Sequence, residues 1–155
     1  MGFGYDVHRL VPGRRLVLAG VDIPFHLGLS GHSDADVLTH ALCDAILGAA
    51  GLGDIGRHFP DADMRYKDIS SLIFLERIAE MIEDRGLLLG NADVTVVAQA
   101  PKITPFVPRM LDNLASTLKI RTSLVNIKAT TTEGLGFTGT GDGIAAYAVA
   151  CLIAS

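Results

Sequence analysis

The segment from Asp34 to Ala50 constrains the fold more than any other. Leu38, Ala41, Leu42, Ala45, Ile46 and Ala49 recur at helical spacing, Ser33 or Asp34 is placed to cap the first turn, and Gly51 stops the last. A helix with one broad apolar face must bury it against a second layer. The rest of the chain supplies that layer. Phe3 to Leu10 alternates as a strand does, Arg14 and Arg15 close a turn before a short strand over Leu16–Ala19, and Asp93–Gln99 and Val125–Thr131 are strands rich in β-branched residues. Pro24 and Gly28 break the pattern, and Leu29–Asp34 and Gly51–Lys67 read as loops, with His26 and His58 as loop histidines. Two more helices are predicted, from about Ser70 to Arg85 and from about Thr104 to Leu118. Ile144 to Ile153 is short and apolar, and its periodicity does not separate helix from strand. This order predicts one α/β domain over residues 1–155, an α+β sandwich in which helices pack on one face of a mixed sheet.

Composition excludes several classes. With 49% hydrophobic and 19% charged residues, and a mean hydropathy of +0.38, the chain is too apolar for disorder. No apolar run is long enough to span a bilayer, so no membrane partner is expected. Thirteen Lys and Arg against 17 Asp and Glu give a net charge of −4 without a basic block, so no nucleic acid is expected either. Cys43 and Cys151 are too few for a disulfide framework or a four-cysteine zinc site and read as buried thiols. The first residues turn polar without an apolar signal core, so a cytoplasmic location is expected.

Three groups of residues carry possible chemistry. Asp6 and His8 are two apart on a strand and therefore point to one side, which suits either an ordinary Asp–His hydrogen bond or two metal ligands. Asp36, His40 and Asp44 form a polar stripe on the apolar helix; it is either a solvated face or an imidazole aimed into a site and oriented by carboxylates. Asp6, His8 and His40 together would leave a fourth position open, the pattern of a catalytic zinc. His32 and Ser33 stand before the helix start, where backbone N–H groups favour a phosphate, unless Ser33 is simply the cap. Finally, Lys128 to Glu133 places three threonines and a carboxylate before a loop with Gly134, Gly136, Gly139, Gly141 and Gly143. Such a run suits a phosphate and a hard divalent cation held by Glu133, although it lacks the Gly-Lys-Ser/Thr ending of a phosphate-binding P-loop.

The stretches GYDVHRL (4–10), GHSDADVLTHALCDAILGAAGLGDIGRHFPD (31–61), ADVTVVAQAPKI (92–103) and NIKATTTEGLGFTG (126–139) closely resemble the 2-C-methyl-D-erythritol 2,4-cyclodiphosphate synthase family, in order and spacing. The resemblance implies a homotrimer with active sites between subunits. It also implies cyclisation of 4-diphosphocytidyl-2-C-methyl-D-erythritol 2-phosphate with release of CMP, in the non-mevalonate route to isoprenoids. By the same resemblance Asp6, His8 and His40 hold zinc, Glu133 holds magnesium or manganese, and His32 and Thr131 stabilise the transition state. Asp6, His8, His32 and Ser33 would contact substrate, with Asp54, Ile55, Gly56, Phe59, Pro60, Asp61, Ala62 and Asp63 around the methylerythritol part, in a loop expected to be mobile until substrate arrives. Ala98, Gln99, Ala100, Pro101, Lys102, Ile103 and Thr104 would form the cytidine pocket, and Thr130, Thr131, Thr132, Glu133 and Phe137 the phosphate side.

One departure stands out. Many members follow GFTG with a basic residue and Gly-Glu-Gly, near the threefold axis where a central cavity accepts isoprenoid diphosphates; this chain has Thr140, Gly141, Asp142 and Gly143. The rival readings are a zinc phosphohydrolase, for which no acid–base pair beyond the ligands suggests itself, and a non-catalytic trimeric nucleotide-binding protein, which would need no combination of His32, Thr131 and Glu133.

Overall fold

Two glycines set how closely the first strand and the first helix approach. In the computed structural model, which describes all 155 residues, strand β1 (Gly2–Val11) lies against helix α1 (Val37–Ala49). A Cβ on Gly4 would stand 1.9 Å from the backbone oxygen of Ala41, and one on Gly2 would stand 2.1 Å from that of Ala45. The helix therefore rests on bare backbone. Residues 2, 4, 6 and 8 share one face of β1, so the strand that meets α1 through glycines carries Asp6 and His8 along the same face, toward the N-terminal end of the helix.

The remaining elements are β2 (Leu16–Leu18), β3 (Val21–Ile23), β4 (Gly28–Leu29), α2 (Ile55–His58), α3 (Ser71–Glu83), β5 (Leu87–Val97), α4 (Val107–Leu118), β6 (Val125–Thr130), α5 (Gly136–Gly139) and β7 (Gly143–Ala154). Five strands form a sheet in the order β4-β1-β7-β5-β6, and β2 and β3 pair separately. All neighbours in the sheet are antiparallel except β5 and β6, whose parallel pairing uses α4 as its crossover. The sheet is thus mixed, with α1, α3 and α4 on one face, as expected. Ala146, Ala148 and Ala150 of β7 point into the core, whereas Tyr147 and Val149 join Phe3, Tyr5 and Val7 on the exposed, helix-free face.

Several expectations need correction. The undecided stretch from Ile144 is the sheet's central strand; alanines fit beneath α1 while Tyr147 and Val149 fill the other face. β3, of three residues, falls in a stretch without a sequence reading, and β4, of two, falls where Gly28 and the loop from Leu29 are expected to break the pattern; strands this short carry no readable period. β5 begins at Leu87 rather than Asp93, and the predicted loops contain α2, with His58 as its last residue, a 3₁₀ turn over Met64–Tyr66, and α5. The helix expected at Thr104 opens as a 3₁₀ turn over Thr104–Phe106. Cys43 is buried, Cys151 is only half-buried, and both are free thiols.

The cap of α1 is neither Ser33 nor Asp34 but Asp36, which is fully buried. Its carboxylate accepts from Thr39 N (3.0 Å), Thr39 Oγ1 (2.8 Å) and Gly20 N (2.9 Å), tying the β2–β3 turn to the helix. Burial, together with the nearby Asp34 charge, pushes this carboxyl above its usual range, and the three donors oppose that shift. Asp36 therefore belongs to the core and does not orient His40.

Candidate metal centre

Asp6 and His8 come from β1 and His40 from the first turns of α1, and their side chains meet at one point. Asp6 Oδ2 lies 2.9 Å from His8 Nε2 and 3.0 Å from His40 Nδ1, and the two ring nitrogens are 3.2 Å apart. His8 Nδ1 donates to the carbonyl of Ser30 at 2.7 Å, so in the neutral ring its Nε2 is a lone pair. Lone-pair atoms this close repel one another unless a positive charge sits among them. The asymmetry of the pair reports the same demand. Burial alone would raise the Asp6 carboxyl, yet its close contacts with His40 and His8 hold it well below the ordinary carboxylate range. Burial alone would lower His8, yet the hydrogen bond and charge of Asp6 raise it.

The donor set fits a metal. In a tetrahedral zinc site with bonds of about 2.0–2.1 Å, ligand atoms lie about 3.3 Å from one another. The three observed separations are within a few tenths of an ångström of that. Side-chain exposures of 26% for Asp6, 19% for His8 and 12% for His40 leave one side of the triad open. That side faces a cavity of about 200 Å³.

His32, Ser33, Ile55, Gly56, Phe59 and Asp61 line this cavity. His32 Nε2 donates to the backbone oxygen of Asp63 at 3.1 Å, which lays the ring across the 61–63 segment. Asp54 is the cap of α2, accepting from Arg57 N at 3.0 Å, and Asp63 caps the 3₁₀ turn while pairing with Arg65. The Arg65 contacts hold the Asp63 carboxyl below its usual range. The platform expected at Ser33 does not form. The helix starts only at Val37, and Ser33 Oγ turns inward, accepting from Ala35 N at 3.2 Å and lying 3.3 Å from His40 Nε2.

The other expected residues gather elsewhere. Ala98, Gln99, Pro101, Lys102, Ile103, Thr104, Thr130 and Thr131 line a second cavity of about 280 Å³, where β5 and β6 end. Ile103 is buried and also belongs to the core. Thr131 Oγ1 accepts from Glu133 N at 3.2 Å, and Gln99 Oε1 from Gly134 N at 3.2 Å; together they brace the turn that presents the exposed Glu133. Glu133 itself has φ of +53°, an uncommon backbone state for a non-glycine residue. Phe137 is exposed on α5. Beyond it, Thr140 Oγ1 donates to Asp142 Oδ2 at 2.6 Å, and the departing stretch 140–143 carries no basic side chain. The two cavities share no lining residue, and β7 and β5 stand between β1 and β6. Within one chain, Thr131 and Glu133 are not brought to the triad.

Four residues at the triad's cavity or around His40 had no functional reading in the sequence. Tyr66 and Phe74 line the first cavity and pack with Phe59, at ring separations of 4.7 to 5.5 Å. Ser71 Oγ lies 2.8 Å from His40 Nε2, and Asp34 in turn binds Ser71. Its helical spacing with Ile78 and Ile82 could have flagged Phe74 as a core residue, but nothing local marks Ser71. Asp44, read as an orienting partner of His40, instead accepts from Ile55 N at 2.7 Å and fastens α2 to α1.

Comparison with known proteins bears on this geometry. A model of the YgbB family matches residues 1–153. The chain is 63% identical over 150 residues to the 2-C-methyl-D-erythritol 2,4-cyclodiphosphate synthase of Pelotomaculum thermopropionicum, covering 97% of this chain and 93% of that protein. It is 62% identical over 152 residues to a bifunctional IspD/IspF enzyme of Desulforudis audaxviator, matching 98% of this chain but spanning only 39% of that protein. Among solved structures, a 2-C-methyl-D-erythritol 2,4-cyclodiphosphate synthase in a CDP-bound form superimposes with a TM-score of 0.89 at 38% identity, over 98% of this chain and 99% of that one.

Proposed function

Since the chain belongs to the YgbB family, we propose that it converts 4-diphosphocytidyl-2-C-methyl-D-erythritol 2-phosphate to 2-C-methyl-D-erythritol 2,4-cyclodiphosphate and CMP. It is a cyclodiphosphate synthase by its relatives, a lyase of the non-mevalonate route to isoprenoids. The observation that carries the assignment of chemistry to residues is the triad: three lone-pair donors converge at the mouth of a cavity that His32 also lines.

The reaction needs no protein nucleophile. An oxygen of the substrate's 2-phosphate forms a bond to the β-phosphorus, the bond from that phosphorus to the CMP oxygen breaks, and CMP leaves with the electron pair. What the chain supplies is position and countercharge. Zinc held by Asp6, His8 and His40 would polarise the β-phosphate, and magnesium or manganese held through Glu133 would offset charge on the diphosphate. His32 brings an N–H whose present acceptor is only a main-chain carbonyl, and a phosphate oxygen in the same cavity is a stronger one. Thr131 accepts from Glu133 N, which leaves its own hydroxyl hydrogen free to donate to a phosphate. Ser33, Asp54, Ile55, Gly56 and the 59–63 segment would hold the methylerythritol part. The 98–104 segment with Thr130, Thr132 and Phe137 would hold the cytidine side.

Both halves are small. Cavities of about 200 and 280 Å³ fall below the ~300–1,000 Å³ typical of a pocket enclosing a whole ligand. A homotrimer, in which the second cavity of one subunit completes the first of its neighbour, accounts for this. The exposed apolar face of Phe3, Tyr5, Val7, Tyr147 and Val149 favours such an assembly, since it would otherwise be left in water. No helix is long and apolar enough to cross a membrane.

Phosphorus NMR of the cytidyl diphosphate substrate with protein, zinc and magnesium tests the reaction. Coupled cyclic-diphosphate signals with stoichiometric CMP are expected. Open phosphates would replace the proposal with hydrolysis, and unchanged substrate would remove it. Glu133→Gln is expected to raise the magnesium concentration for half-maximal rate by about tenfold or more, since a contact to a charged group contributes about 1.5–3 kcal/mol. Bound zinc, measured by metal analysis, should not change. An unaltered magnesium requirement would remove Glu133 from the second metal.

A further inference from the structure

The ring of His40 is gripped from behind as well as in front. Its Nε2, on the edge away from Asp6 and His8, lies 2.8 Å from Ser71 Oγ. Ser71 is the first residue of α3 and is fully buried. Its hydroxyl donates to Asp34 Oδ1 in a short bond of 2.5 Å, and its backbone N–H donates to Asp34 Oδ2 at 3.1 Å. Asp34 is itself fixed. Its backbone N donates to Ile69 O at 3.0 Å, and Oδ1 also accepts from Asp36 N at 3.2 Å.

The direction of each bond follows from the inventory of donors. A carboxylate can only accept, so the single Ser71 hydroxyl hydrogen is committed to Asp34. The Ser71 oxygen is then an acceptor for His40 Nε2–H. In the neutral ring that places the proton on Nε2 and leaves Nδ1 as the lone pair that faces Asp6 and His8.

We propose that Asp34 and Ser71 are positioning residues for the metal centre: the chain Asp34 carboxylate, Ser71 hydroxyl, His40 Nε2–H fixes the tautomer and ring plane in which His40 presents Nδ1. The inference rests on the reading of Asp6, His8 and His40 as metal ligands. It assigns to α3, which contributes no ligand, the task of holding one. His8 is held in the same manner by the Ser30 carbonyl, so both imidazoles have their outward nitrogens occupied by acceptors.

A rival role for Asp34 is structural. Ser70, at the cap position of α3, makes no side-chain cap bond, and Asp34 takes the Ser71 N–H instead. The test must therefore separate metal binding from folding. Full-length wild type and Ser71→Ala are compared by competition for zinc against a chromophoric chelator, by the visible spectrum of the cobalt(II) form, and by thermal unfolding in the metal-free state. Ser71→Ala is expected to bind zinc about 10- to 100-fold more weakly and to show an altered cobalt spectrum, with metal-free unfolding close to wild type. Wild-type zinc affinity and cobalt spectrum in the variant would overturn the proposal, whether or not its unfolding temperature falls. Should Ser71→Ala fail to fold, Asp34→Ala breaks the chain at its outer end and is read by the same affinity and spectrum. If wild type itself binds no zinc, the metal reading beneath the proposal fails, which is distinguishable from a variant that binds as wild type does.

Discussion

His40→Ala is expected to reduce CMP release by at least about 10³-fold and to leave the purified protein poor in zinc. Metal ions stabilise the charge of a phosphoryl transition state by several kcal/mol, and about 4 kcal/mol corresponds to that factor. The variant keeps Asp6 and His8 on β1 but loses the only ligand that α1 supplies, so two donors remain where three define the site. Folding should survive. The contact between β1 and α1 runs through Gly2 and Gly4 against Ala41, Ala45 and Ala49, away from the imidazole. Initial rates of CMP release, taken with zinc content and oligomeric state on the same preparation, check it. Full activity in a zinc-poor, assembled variant would sink the metal assignment.

Gly4→Val is expected to destabilise the protein by about 4 kcal/mol or more, or to prevent folding, which places it among the exceptional single substitutions. The clash is backbone against side chain: the new Cβ would meet Ala41 O at 1.9 Å and Ala45 N at 2.8 Å, where ordinary contact begins near 3.4 Å. No rotamer relieves a Cβ clash, so α1 must lift from the sheet, and it carries a large part of the buried core with it. Any folded remainder should also lose zinc, because lifting α1 draws His40 away from Asp6 and His8. Gly48→Ala is the matched control. It lies in α1, on the other side of that contact, with nothing closer than 4.0 Å to an added Cβ, and should stabilise by roughly 0.5–1 kcal/mol through helix propensity. Urea unfolding of both variants decides the matter; a Gly4→Val protein within 1 kcal/mol of wild type would show that the close approach is not required.

These two positions divide what was readable from what was not. Asp6 and His8 could be paired from sequence because a strand alternates with period two, a local regularity that survives any tertiary arrangement. The existence of α1 and its C-terminal end were legible for the same reason, since an apolar face repeating at helical spacing and a terminal glycine are local signals; its start, expected at Asp34, lies at Val37. Its cap was not legible. Ser33 and Asp34 are the candidates that local sequence offers, yet the cap is Asp36, whose carboxylate also accepts from Gly20, sixteen residues earlier.

The sequence by itself therefore determined the element types with a clear period, the mixed sheet with helices on one face, and the candidate trio Asp6, His8 and His40. Tertiary structure alone decided what surrounds that set. It made Asp36 a buried cap rather than a partner of His40, turned Ser33 inward, made the alanine-rich C-terminal segment the central strand, and put Ser71 and Asp34 behind the imidazole. The physical reason is range. Periodicity and capping are written within a few residues of one another, whereas Ser71 reaches His40 across 31 positions and Asp34 across 37, and a serine hydroxyl carries no sign in the sequence of which distant imidazole it will meet.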